Sequence, residues 1–175
     1  MGNDILGDDG VALLVARQLR SEFSSPPPPS PLRGEGVSFD TGQWGGEGAP
    51  NPFSSVDIVE SAEAGLAIME LLAGSERALI LDCIATGKHA PGTLLEFTVD
   101  DFRKVVAPSP HYAGLPEVIE MAARLGIDFP KHLRVLAMEV ENPWTVQESM
   151  SPSVSSAIPA LVSRTRSILK ELLES

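Results

Sequence analysis

The chain is poor in cysteine, aromatic residues and positive charge. A single Cys83 excludes an internal disulfide and most cysteine metal sites. Thirteen Lys and Arg stand against 24 Asp and Glu, a formal net charge of -11. With a sequence pI near 4.6, that balance argues against nucleic acid and against an anionic membrane, both of which select basic surfaces. It leaves a cation or a basic peptide as partner. No stretch is long and apolar enough to span a bilayer, and no basic-then-apolar leader is seen. A G-x-S-x-G elbow, H-E-x-x-H and H-x-x-E-H are all missing, which disfavours serine hydrolases and helix-borne zinc peptidases. A soluble cytoplasmic protein is expected, a monomer that binds neither nucleic acid nor membrane.

What is present suits one domain: 175 residues, 43% of them hydrophobic. Val11, Leu14, Val15 and Leu19 recur at helical spacing, so residues 9–22 read as a helix. Asp8 and Asp9 stand where acids favour the positive end of a helix. Residues 24–55, "SSPPPPSPLRGEGVSFDTGQWGGEGAPNPFSS", lose all periodicity and read as a disordered surface insertion.

Order resumes with "VDIVE" (56–60), which reads as a short strand. "AEAGLAIMELLAG" (62–74) reads as a helix with Leu66, Met69, Leu72 and Ala73 on one face, stopped by Gly74. "RALILDCI" (77–84) is an apolar run of the kind found in a central parallel strand. Strands are also expected over 92–99 and 133–141, and a helix over 115–126. The last helix spans 151–175, with Ser151 as N-cap, Pro152 in its first turn and a bend at Pro159. Its buried stripe is Val154, Ile158, Leu161, Thr165, Ile168 and Leu172.

Strands alternating with helices predict a three-layer α/β sandwich with a mostly parallel central sheet. The whole chain, 1–175, reads as one such domain carrying the insertion. Ligands of such sheets bind beyond the carboxyl ends of the strands. Glu60 and Asp82 stand at predicted strand ends, and the loops carrying Asp8, Asp9 and His111 lead into helices. These groups could converge on one edge. Two carboxylates and an imidazole suit a divalent first-row metal with open positions. Asp82 could order that edge or act as a base. Cys83 reads as a small buried hydrophobe, and His89 and His132 as loop and strand-edge residues.

"GNDILGDDGVA" resembles the Gly-Asn, then Asp-Asp-Gly signature of the nickel-iron hydrogenase maturation endopeptidases. "VDIVESAEAGL", "ALILDCI", "PGTLLEF", "SPHYAGLPEVIEMAARLG" and "SMSPSVSSAIPALV" resemble that family's later landmarks, in its order. The resemblance implies an endopeptidase that trims the C-terminal peptide of a hydrogenase large-subunit precursor after nickel insertion. Substrate-held nickel would be the recognition feature, with no tightly bound cofactor. Carried over, the nickel-contacting residues fall on Asp9, Glu60 and His111, and Asp8 supports the loop through backbone hydrogen bonds. At Glu60 the family often has an aspartate followed by a Gly-Gly turn, absent from "ESAEAG". The family also has an apolar strand ahead of the Gly-Asn turn, which is expected to be missing from this chain. Two alternatives belong to other classes: a non-catalytic metal-binding or maturation-scaffold protein, and a flavodoxin-like module, the latter without a phosphate-binding Gly-rich loop.

Overall fold

The computed structural model describes residues 7–24, 51–62, 65–102, 115–141 and 149–175. A 3-10 turn over Gly7–Gly10 leads directly into α1 (Val11–Ser24). There follow α2 (Ala67–Leu72), β1 (Arg77–Ile84), β2 (Leu94–Thr98), α3 (Val99–Phe102), α4 (Leu115–Leu125), β3 (His132–Glu139) and α5 (Pro152–Glu174).

The described sheet has the order β1-β3-β2. β1 runs parallel to β3, with Asp82 opposite Ala137, Cys83 opposite Met138 and Ile84 opposite Glu139. β2 runs antiparallel to β3. The expected parallel character therefore holds for one of the two described pairings. The link over 85–93 explains the other: it contains no helix, and a parallel crossover takes about a dozen residues or more.

β3 is central, and its side chains alternate with period two. Leu133, Val135 and Ala137 join Ile80 and Ile84 of β1, Ile68 of α2 and Leu115 beneath one face. Leu136 and Met138 join Cys83, Val11, Val15 and Leu19 of α1 and Val154, Leu161, Ile168 and Leu172 of α5 on the other. The three layers are thus α1 with α5, the sheet, and α2 with α4. Arg166 of α5 pairs with Glu22 of α1 across the outside of that first helical layer.

Helix ends follow local chemistry. Ser151 caps α5, its hydroxyl accepting from Val154 N at 3.4 Å, and Pro152 opens the helix. α5 continues through Pro159 to Glu174. α2 is six residues long, shorter than its sequence pattern suggests, and buries Ile68. Leu66, expected on the inner face, is exposed. Gly74 follows with φ +78°, in the left-handed region where glycine carries no Cβ penalty.

Two other expectations change. Residues 56–60 form no strand among the described residues. A strand is defined by its ladder, and high β propensity alone does not supply a partner. The segment instead lines a cleft of about 520 Å³ together with Leu13, Ile68, Leu79, Ile80 and Leu172. Both ends of the span 24–55 are also structured. Ser24 ends α1, and residues 51–55 are ordered as a turn. Phe53 is buried there and stacks on Phe23 with ring centroids 4.5 Å apart. Residues 25–50, including Trp44, lie outside the described residues.

Candidate functional site

The doublet that opens the first helix divides its labour. Asp8 and Asp9 are both buried, at 3% and 5% exposure. Asp8 Oδ1 accepts from the backbone N–H of Ser151 at 2.6 Å. This ties the turn to the start of α5 and matches the supporting role expected for Asp8. Asp9 Oδ1 accepts from the thiol of Cys83 at 2.9 Å.

Asp9, Asp82 and Cys83 bring one ligand atom each within 4.8 Å of one another, and all three are buried. Asp82 and Cys83 are successive residues of a strand, so their side chains leave on opposite faces. A carboxylate near both therefore lies close to the strand itself and not over one face alone. The turn over residues 7–10 delivers Asp9 there, two residues ahead of α1. Burial, then the neighbouring Asp9 and Asp82 carboxylates, push the Cys83 thiol far above its usual range. It is therefore a protonated hydrogen-bond donor.

A fourth buried acid escaped the sequence reading. Glu139, at the carboxyl end of β3, accepts from the backbone N–H groups of Thr86 and Gly87, each at 2.7 Å, and from Thr86 Oγ1 at 2.8 Å. It holds the loop that leaves β1 just beyond Asp82 and Cys83. An acid near the carboxyl end of a mostly apolar strand is the signal that could have found it, since Asp82 stands near the same end of β1.

Glu60 stands elsewhere. Its carboxylate accepts from Arg17 Nε at 2.8 Å and pairs with Arg20. These are outward side chains of α1, and Arg20 lies about 13 Å along the helix axis from Val11. The Arg20 hydrogen bond, aided by Arg17, holds the Glu60 carboxyl below the ordinary glutamate range. Glu60 is not in the Asp9–Asp82–Cys83 group. His111 lies outside the described residues. His89 and His132 are exposed and are not in the acid group either. Asp9, Asp82 and Cys83 do not line the 520 Å³ cleft, which borders the amino-terminal half of β1.

The layered α/β domain has counterparts among solved endopeptidase structures. The maturating endopeptidase HybD of Escherichia coli superposes with a TM-score of 0.65 over 97% of this chain and 88% of its own, at 21% identity. The NiFe hydrogenase maturation protease HybD of Thermococcus kodakarensis superposes with a TM-score of 0.59 over 95% and 93%, at 17% identity. At the sequence level the chain is 27% identical over 115 residues to the hydrogenase 2 maturation protease of E. coli K12, covering 61% of this chain and 70% of that one. The HycI hydrogenase maturation protease family matches residues 47–168, and the chain belongs to that family. It is accordingly a peptide-bond hydrolase. Asp82 and His111 fall within the matched span and Asp9 precedes it.

Proposed function

We propose that this endopeptidase removes the C-terminal peptide of a nickel-iron hydrogenase large-subunit precursor, and recognises nickel already held by that precursor. The observation that carries the reading is the pair of buried carboxylates, Asp9 and Asp82, converging from separate elements beside β1. Two carboxylates this close together can both offer oxygen ligands to one divalent ion. In this reading Asp9 and Asp82 supply two oxygen ligands and His111 supplies an imidazole. The ion pair with Arg17 and Arg20 favours a structural role for Glu60, so the second carboxylate is assigned to Asp82.

Two carboxylates and one histidine form an incomplete set. Substrate thiolates would complete it, so that only the joint complex holds metal and peptide in register. The enzyme would then carry no resident ion, and would work as a monomer in the cytoplasm.

The test compares nickel-loaded with nickel-free precursor, using enzyme treated with a chelator that is then removed. The loaded precursor is expected to be shortened and the nickel-free one left intact. Equal cleavage of both would overturn nickel recognition. Asp9→Asn, Asp82→Asn and His111→Ala are each expected to lower cleavage at least about a hundredfold, as misplacement of a reacting centre does. Glu60→Gln is expected to keep it. Loss of cleavage in Glu60→Gln with an unchanged circular dichroism spectrum would return Glu60 to the ligand set. Binding of loaded precursor without shortening would favour the scaffold alternative.

A further inference from the structure

We propose that Cys83 is a positioning residue for Asp9, fixing which carboxylate oxygen is presented to the substrate-held metal. The inference rests on the reading of Asp9 as a metal-contacting residue.

Asp9 sits on a short 3-10 turn, whereas Cys83 sits on β1, which is clamped residue by residue to the central strand. The donor therefore belongs to the more rigid partner. An aspartate has two chemically equal oxygens, and its terminal torsion is broad and two-fold. A single donor removes that equivalence. The thiol, 2.9 Å from Oδ1, engages that oxygen and leaves Oδ2 to be offered to the substrate. Both residues are almost wholly buried, so water does not compete freely for the same oxygen. Asp82, next in the chain to Cys83, belongs to the same 4.8 Å group. One strand thus contributes a carboxylate and also orients the other.

Cys83 is also part of the hydrophobic cluster shared by α1 and α5, so a purely packing role has to be separated from a positioning one. Valine at this position keeps apolar volume and removes the donor. Serine keeps a donor and gives up apolar volume. Cleavage of nickel-loaded precursor by Cys83→Ser is expected to exceed that by Cys83→Val at least tenfold, with Cys83→Val the more heat-stable of the two. A packing role predicts the reverse order of activity, and that result would overturn the proposal.

A second readout does not depend on cleavage. The chain has one cysteine, so the infrared S–H stretching band reports this thiol alone. In the intact protein the band is expected at the lower frequency of a hydrogen-bonded thiol, and Asp9→Asn should move it upward. A band that Asp9→Asn leaves unmoved would overturn the proposal while leaving Asp9 as a ligand untouched. A band that moves, with cleavage by Asp9→Asn intact, would refute the reading of Asp9 itself and the present inference with it.

Discussion

Two adjacent aspartates have different tasks because they precede a helix whose first turn is pinned between α5 and β1. Asp8 reaches the backbone of Ser151, and Asp9 reaches Cys83. Asp8→Ala leaves the Ser151 N–H without this acceptor in a part-buried position. That costs about 1–3 kcal/mol, the penalty of an unsatisfied donor that had a charged partner. A fall in thermal midpoint is expected, measured by calorimetry. The activity of Asp8→Ala should fall less than that of Asp9→Asn, because Asp8 holds the turn and Asp9 is the proposed metal contact. Equal loss in the two variants, with both folded, would give Asp8 a direct part in the reaction.

Among the elements, the turn around residues 51–55 follows the proline- and glycine-rich segment and packs against the end of α1. Asn51 Nδ2 donates to the carbonyl of Phe23 at 2.9 Å, so the two ends of that segment meet. Shortening residues 26–50 to a brief Gly-Ser link is then expected to leave melting temperature and activity nearly unchanged. Closure entropy changes by only about 0.6 kcal/mol per halving of loop length. Phe53→Ala is a different matter. It removes a buried ring stacked on Phe23 and is expected to cost about 3–5 kcal/mol in denaturant unfolding. A large loss on shortening, or a negligible one on Phe53→Ala, would move that boundary.

A second element-scale prediction concerns the far edge of the sheet. Glu96 of β2 lies between Arg164 of α5 and Arg134 of β3, and Glu171 joins the same two arginines. The Arg164 hydrogen bond is the main reason the Glu96 carboxyl is held below its ordinary value of 4.5, with burial opposing and Arg134 assisting. A carboxyl whose folded pKa is depressed contributes stability above its unfolded pKa. That contribution fades as pH falls through the folded value. Glu96→Gln should therefore be less stable than the parent near neutral pH, by less than about 1 kcal/mol because the group is partly exposed and screened. The gap should close as the solution is acidified below the ordinary glutamate range, and shrink in molar salt. Denaturant titrations across that range check it. A gap that widened in acid would reverse the sign of the argument.

For the whole molecule, the proposed arrangement would link hydrolysis to a completed metal centre in another protein. The enzyme contributes acids from two elements, and the proposed histidine comes from a third segment. An incomplete ligand set gives weak metal affinity by itself and leaves coordination positions for the substrate. Isolated protein dialysed against nickel is therefore expected to retain far less than one equivalent, measured by elemental analysis. Stoichiometric nickel or zinc in the isolated, active protein would instead indicate a conventional metallopeptidase.

The sequence by itself determined what depends on periodicity and local chemistry. The apolar run 77–84 became β1 with those bounds, because a largely apolar stretch suits a strand covered on both faces. Val11, Val15 and Leu19, and the stripe of α5, lie inward as their helical spacing requires, whereas Leu14, grouped with them by spacing, is exposed. Ser151 caps α5 because its hydroxyl supplies an acceptor to a helix end that lacks one. Only the tertiary structure decided what depends on a partner from elsewhere in the chain. Residues 56–60 have strand composition but acquire no ladder among the described residues. Phe53, in a stretch that reads as disordered, is buried because Phe23 waits at the end of α1. Glu60 and Asp82 look alike as strand-end acids. They part company because Arg17 and Arg20 of α1 hold the first, while the second closes on Asp9 beside β1. A carboxylate's role is set by the charges and donors that the fold brings within a few ångströms of it, and that proximity is a property of the packed chain.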